Sequence, residues 1–269
     1  MRVISWNLFH GRDAPPDPSL YTWRSRILGV EERGATHVQV NRSLLCAFAE
    51  VLAREAWDIA LLQEVPPRWL VPLCRRAEAG GASALTARNL GAGARAWLAD
   101  RRPDLLGSWE GGSNQVLVRP PWRIEGVRRL TLTRWPERRR LIFADLLGPG
   151  ARRLAAANLH ASIGGRGPEG DVLRAAERAT AWSAHRPLVL GGDLNLRPLH
   201  SPSVFEELRE RFGLAPPAAS HSVDHVLGRH LELLEPPRLL EPSRRERSIG
   251  GRLLRLSDHR PVVVRFGMR

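Results

Sequence analysis

The residues of this chain point to an α/β fold of stacked sheets with helices outside, on three observations. Strand-like apolar runs outnumber helical ones, and the helical patterns recur at intervals between them rather than collecting at one end. No internal repeat and no long linker divides the 269 residues, so they read as one domain over 1–269. A chain of this size can bury about 75% of the surface it exposes when unfolded, and it needs no disulfide or metal staple to do so.

The elements follow in order. Val3–Leu8 is a short apolar run, read as a buried strand closing on Asn7. Residues 12–36 are a long insertion of prolines and arginines with Trp23, too polar and too interrupted to be core. Asn41 is placed to cap a helix in which Leu44, Leu45, Phe48, Val51 and Leu52 recur at helical spacing, and Cys46 reads as a small core residue of that helix. DIALLQEV, bounded by Pro66 and Pro67, is a second buried strand. Residues 80–96 are rich in Gly and Ala and fit either element. From Asn114 the pattern turns to β: NQVLVR, WRIEGVRRLTLTRW, RRLIFADLL and RRLAAANLHA read as successive strands. Pro168–His185 has the composition of a helix, PLVLGG is a strand that runs into Asp193, and Pro202–Phe212 is a short helix. Ser222–Leu227 and Pro261–Phe266 are two last strands, each beginning beside an Asp-His pair.

Composition narrows the function classes. Two cysteines, Cys46 and Cys74, make neither a disulfide framework nor a four-thiolate zinc site. No apolar run approaches the roughly 18 residues of a membrane-spanning helix, and MRVISWNLFH lacks the pattern of a secretory signal, so a soluble cytoplasmic protein is expected. The formal charge is +13, and all 41 basic residues are arginine. Abundant Ala, Gly and Pro make compositional bias a competing reading of that count, but the sign still draws anions: nucleic acid, acidic lipid or phosphorylated metabolites. The Arg pairs, such as Arg75-Arg76 and Arg244-Arg245, are dispersed and read as solvated faces.

The chemistry-bearing residues share one placement, the ends of apolar strands. Asn7 closes SWN, Glu64 closes ALLQE and His160 closes AANLH; Asp193 and Asn195 follow LVLGG, while Asp224 and the Asp258-His259 pair border the last strands. One acid at a strand end is an ordinary loop residue or cap, whereas six such placements in one chain suggest loops assembled on a scaffold for chemistry. Glu64, Asp193, Asp224 and Asp258 would repel one another if brought together unscreened, and a hard divalent cation, Mg²⁺ or Mn²⁺, resolves that conflict. Asn7 and Asn195 orient a water or a phosphoryl oxygen without adding charge. His160 and His259 donate to a developing oxyanion or accept a proton from water. Together these groups suit phosphoryl ester hydrolysis.

With VISWNL, DIALLQEV, GGSNQVLVR, LAAANLHAS, LVLGGDLNLRP, SVDHVL and LSDHRPV in that order, the chain resembles the endonuclease/exonuclease/phosphatase superfamily from Arg2 to Phe266. That superfamily includes DNase I-like nucleases, exonuclease III-type abasic endonucleases, sphingomyelinases and inositol polyphosphate 5-phosphatases. GDLN and SDHRPV are the most specific segments. The resemblance implies a four-layer α/β/β/α sandwich, with two central, mostly antiparallel mixed sheets flanked by helices and a divalent-metal site at one end. It implies that Glu64 ligates the metal with Asn7 and Asp258 beside it. Asp193 would orient or deprotonate the attacking water, and Asn195 would hold that water or a phosphate oxygen. His259 would contact the scissile phosphate while Asp224 fixes its tautomer, and His160 would be the second phosphate-facing histidine. Asn114 and Arg139 would bind substrate. Two departures stand out: the strand at 112–119 offers Gly112, Ser113 and Asn114 where DNase I-type enzymes place a glutamate against the first histidine, leaving Glu110 the nearest acid, and SVDHVL replaces the DRxL-like segment of the inositol phosphatases. The abasic-endonuclease tyrosine is also missing, since the only tyrosine is Tyr21.

Other residues carry blander readings. His221 and His225 read as surface or packing residues, and His37, His185, His200 and His230 as solvent residues. His10 fits a turn or the cleft. Trp23 reads as an anchor of the insertion rather than a base-stacking platform, and residues 164–167 as a flexible rim. The expected function is a metal-dependent phosphodiesterase, a monomer whose partner is a phosphate-containing substrate, nucleic acid before others. A phosphatase or sphingomyelinase-like phospholipase of the same fold, and an inactive binding module, are the alternatives.

Overall fold

Apolar runs of six or seven residues leave room only for strands, and the buried ones become the centres of two sheets. The protein is described here by a computed structural model covering residues 1–86, 111–135, 137–164 and 167–268. In chain order the elements are β1 (Arg2–Asn7), β2 (Glu32–Arg33), β3 (Val38–Gln39), α1 (Leu45–Arg54), β4 (Ile59–Val65), α2 (Leu70–Ala77), β5 (Gly80–Leu85) and β6 (Ser113–Val118). There follow β7 (Arg123–Thr133), β8 (Arg139–Leu147), β9 (Arg153–His160), α3 (Gly167–Ser183), β10 (Leu188–Asp193), α4 (Pro202–Phe212) and β11 (Asp224–Arg229). The last are β12 (Glu232–Leu239), β13 (Glu246–Ile249), β14 (Arg252–Arg255) and β15 (Val262–Gly267).

One sheet runs β12-β15-β1-β4-β6-β5 and the other β11-β10-β9-β8-β7. Each is antiparallel except at one parallel pair, β1 with β4 and β9 with β10. The sheets face each other across a core that joins Val3, Ile59, Leu61 and Val116 of the first to Ile142, Ala156, Val189 and Val226 of the second. α1 and α2 cover the outer face of the first sheet through Phe48, Leu52 and Leu73, and α3 and α4 cover the second through Val172, Ala176, Phe205 and Leu208. The expected four layers are present. Central strands with both faces covered read as unbroken apolar runs, as these do.

Two polar residues cross the inner core beneath the strand ends. Asn158 of β9 gives its amide to the carbonyls of Leu62 and Gln115 and accepts from Gln63 at 2.7 Å. Buried amides keep such partners because leaving one unpaired is costly, so this bridge fixes the register of one sheet against the other. Gly191 and Gly192 permit the closest approach: a Cβ on Gly191 would lie 2.6 Å from the His225 carbonyl, and one on Gly192 (φ +134°) would overlap the Leu159 carbonyl.

Three local expectations are corrected. Asn41 does not cap α1, which begins after Leu44 without a side-chain cap; its amide instead donates to the carbonyls of Ser25 and Arg26 and ties down the insertion. Cys46 is exposed, because it lies about 200° around the helix from Phe48. His37 is buried, meeting Thr36 Oγ1 at 2.9 Å and Glu246 at 3.4 Å. Part of the Gly/Ala-rich stretch forms β5, while its remainder, Glu110 and residues 165–166 of the expected rim lie outside the described residues. Among the described residues no helix is long and apolar enough to cross a membrane.

Candidate active site

Parallel pairing puts chain ends together. Asn7 sits opposite Gln63 where β1 and β4 both finish, and Asp193 lies between His160 and Asp224 at the ends of β9, β10 and β11. The two sheets thereby deliver their polar termini to one edge of the sandwich. Glu64 occupies a break in register between β4 and β6, and its backbone is left-handed (φ 51°). His10, Asn195 and Ser257 are also left-handed, at φ 53°, 50° and 58°. A non-glycine residue held there is strained and persists only where its surroundings impose it.

Asp193 is the buried centre of the group. Asn7 donates to its Oδ2 at 3.0 Å, His160 Nε2 stands 3.4 Å away and His259 Nε2 3.8 Å away, while the Asn195 backbone N–H donates to its Oδ1 at 3.1 Å. The Asn195 amide donates to the Ala161 carbonyl at 3.0 Å. Burial pushes the Asp193 carboxyl above its usual range, and the charge of Asp224 adds to that. Asp224 is raised by burial as well; its Oδ2 meets His259 Nδ1 at 2.7 Å and its Oδ1 is buried without a partner. Burial disfavours charge on His259, but Asp224, Asp193 and Asp258 outweigh it and lift the imidazole to about 10.

His160 has the opposite character. Arg139 Nη1 lies 3.1 Å from its Nδ1, and since guanidinium only donates, the neutral ring carries its proton on Nε2. Burial pushes its pKa down to about 4. Arg139 is itself buried and held by Glu137. Arg139 and, at 3.6 Å, Glu64 thus both face Nδ1 of this histidine.

Glu64 links the two sheets' contributions. It stands 3.6 Å from His160 Nδ1 and 3.3 Å from His10 Nε2. Burial raises its carboxyl, Asp258 raises it further, and His259, Asn7 and Arg139 oppose the shift. Asp258 is the most open member, its side chain 48% exposed, and lies 3.9 Å from His259 Nε2. Asn7 Oδ1 accepts the Phe9 N–H at 2.9 Å, so one carbonyl lone pair remains.

Asn114 lies deeper than the rest: it is fully buried in β6, donates to the Arg140 carbonyl at 2.7 Å and leaves Oδ1 unpartnered. Sequence reasoning had no role for Ser257, whose hydroxyl donates to the Asn7 carbonyl at 2.7 Å and accepts the His259 N–H at 3.0 Å, fastening the last loop to β1. It also left His10 undecided; the signal was its place three residues beyond Asn7. His225 is a packing residue, accepting from Ala218 N–H and donating to the Leu196 carbonyl, each at 3.0 Å.

The donor set is oxygen and imidazole nitrogen, with both cysteines on the covering helices α1 and α2. Ligand atoms of Asp193, Asp224 and His259 lie within 4.8 Å of one another. Carboxyls raised by burial and by each other, with an unpartnered Asp224 oxygen, fit a hard divalent cation.

The sequence model of the Endonuclease/Exonuclease/phosphatase family matches residues 4–259. No curated protein matches the chain. Among solved structures, a family protein from Bacteroides thetaiotaomicron is similar at TM-score 0.67 and 15% identity, covering 100% of this chain and 98% of that one. A mannosyl-6-phosphatase from B. thetaiotaomicron VPI-5482 gives 0.66 and 16% over the full length of both. The human nocturnin catalytic domain, with a bound sulfate anion, gives 0.60 and 17%, covering 99% of this chain and 93% of that one.

Proposed function

The chain belongs to the endonuclease/exonuclease/phosphatase family, and from that premise we propose that it is a divalent-metal-dependent phosphodiesterase, using Mg²⁺ or Mn²⁺, whose substrate is nucleic acid. The observation that carries the reading is the convergence of Glu64, His160, Asp193, Asp224 and His259, five residues from separate strand ends and loops, at one edge of the sandwich.

Glu64 and Asp258 would hold the cation, with the remaining carbonyl lone pair of Asn7 beside them. Ligand atoms of Asp193, Asp224 and His259 are the ones within 4.8 Å of one another, but Asp224 Oδ2 is engaged by His259 at 2.7 Å, and the family resemblance gives the cation to Glu64 and Asp258. When bound, the metal polarises a phosphoryl oxygen and neutralises charge that grows there. Asp193 orients the attacking water and takes its proton, in keeping with a carboxyl whose proton affinity burial has increased. Asn195 holds that water or a phosphoryl oxygen. His259, charged and fixed by Asp224, donates Nε2–H to a non-bridging oxygen; His160, neutral, donates from Nε2 on the other side. Arg139 orients His160, and Asn114 braces the start of β8 behind it.

A second reading, a phosphatase of a small phosphorylated molecule, is favoured by the similar Bacteroides mannosyl-6-phosphatase. Supercoiled plasmid and a panel of phosphomonoesters, each with Mg²⁺ and with EDTA, separate the two. The proposal expects Mg²⁺-dependent nicking with the monoesters untouched; hydrolysis of monoesters with intact plasmid would give the site to the phosphatase.

A further inference from the structure

The insertion at 12–36 meets a second excursion, 241–256, beside the candidate active site. Ala14 N–H donates to the Arg255 carbonyl at 2.8 Å, Leu253 N–H to Thr36 at 2.9 Å and Ser257 N–H to Arg12 at 3.1 Å. Val40 N–H donates to the buried Asp13 carboxylate at 3.0 Å. Two segments more than 200 residues apart are therefore sewn together by main-chain hydrogen bonds, and a cavity of about 570 Å³ lies between them, bordered on one side by Asp258.

Its walls have a definite chemistry. Arg12, Arg26, Arg245 and Arg255 line it against the single acid Asp258. Arg255 pairs with Glu246 at 2.9 Å, whereas Arg26 and Arg245 have no carboxylate partner among the described residues. Arg245 is only 6% exposed; it donates Nη1 to the Leu256 and Ser257 carbonyls, and its Nε is buried without a partner. Burial and the neighbouring Arg255 disfavour the Arg245 charge more than Asp258 and Glu246 relieve it, and an anion entering the cavity would offset that cost. Phe9 and Tyr21 add flat apolar surface to the same wall.

We propose that this cavity is a subsite for a second phosphoryl group of the substrate, next to the one being cleaved. The proposal rests on the phosphoester reading above and specifies what that substrate carries. The guanidiniums hold the second phosphate by charge-assisted hydrogen bonds, and the aromatic wall receives the group that joins the two phosphates. The next phosphate of a nucleic-acid strand and the second phosphate of a small bisphosphate share this chemistry.

The first arm of the test uses inorganic pyrophosphate and calorimetry in EDTA, where the carboxylate-rich metal site repels anions. The parent protein should bind it saturably, and Arg26→Ala should weaken binding about tenfold or more, the scale of one charge-assisted contact. Arg245→Gln should do the same; since it also releases two carbonyls of the catalytic loop, the exposed Arg26 is the decisive position. The second arm compares KM with Mg²⁺ for TpT against pTpT, and for a sugar monophosphate against the bisphosphate. A lower KM for the member of either pair that carries two phosphates, lost in Arg26→Ala, supports the subsite and says which source it serves. No binding in EDTA, or binding indifferent to both substitutions, overturns it. Should the parent hydrolyse no phosphoester while pyrophosphate binding still depends on Arg26, the catalytic reading fails and the subsite stands.

Discussion

Asp193 touches Asn7, His160 and His259 at once, so its replacement separates chemistry from folding. Asp193→Asn keeps the shape and removes the base, and kcat should fall by about 10²–10⁴. Burial holds the native carboxyl above its usual range, and Asn removes that charge while setting its NH2 against one of the two donors, Asn7 Nδ2 or Asn195 N–H, that the carboxylate accepts. A folded variant with activity intact would reverse the assignment. His225 sets a second expectation. Its pKa, near 6.5 when unfolded, is pushed down to about 4 by burial. Below pH 6.5 the unfolded chain takes up a proton that the native ring refuses, so stability falls from pH 6.5 to 4 and the loss then levels off. His225→Asn should remove up to about 3 kcal/mol of that loss in urea titrations; His10 and His160, also near 4, maintain the rest. An unchanged slope would mean that the ring is protonated in the native state. The polar strand ends were legible because a charge after an apolar run stands out. Ser257, Asn158 and Arg139 were harder to place, since hydroxyl and amide roles inside a core depend on partners that only folding supplies.

At the scale of elements, the β9–β10 pair carries the site and depends on one glycine. Gly192→Ala would drive a methyl into the Leu159 carbonyl at a left-handed φ, and a loss of about 3 kcal/mol or more is expected from thermal or urea unfolding; a variant of parental stability would show that the strands can separate there. Periodicity located β1, β4, β6–β11, β15 and the two helices over the second sheet. It missed α2, where Pro72 sits in the first turn and needs no intrahelical donor. It also missed β12, an edge strand interrupted by Pro236 and Pro237, and the small β13–β14 hairpin, whose side chains are mixed because little of it is buried. Cys46 is a different error: Leu44 and Leu45 keep the apolar stripe in phase with Phe48, and Cys46 falls between its turns.

For the whole molecule, the order of motifs identified the architecture before any contact was known, because the chain lays β1, β4 and β6 in one sheet, β7–β11 in the other, and returns to the first with β15. The surplus of arginine is dispersed in sequence, yet folding gathers four of its members beside Asp258. If nucleic acid is the substrate, kcat/KM on plasmid should fall at least about tenfold between roughly 50 and 200 mM salt as released counterions lose their advantage, while bis(p-nitrophenyl) phosphate, a single small diester, should barely respond. Equal salt sensitivity would remove the polyanion from the account. The most direct measurement is a Mn²⁺ titration followed by the EPR signal of the free ion, on the parent, Glu64→Gln, Asp258→Asn and Cys46→Ser. The account predicts saturable binding in the parent and Cys46→Ser, weakened at least about tenfold in both carboxylate variants. Binding that ignores Glu64 and Asp258, or a parent that takes up no Mn²⁺, would contradict it.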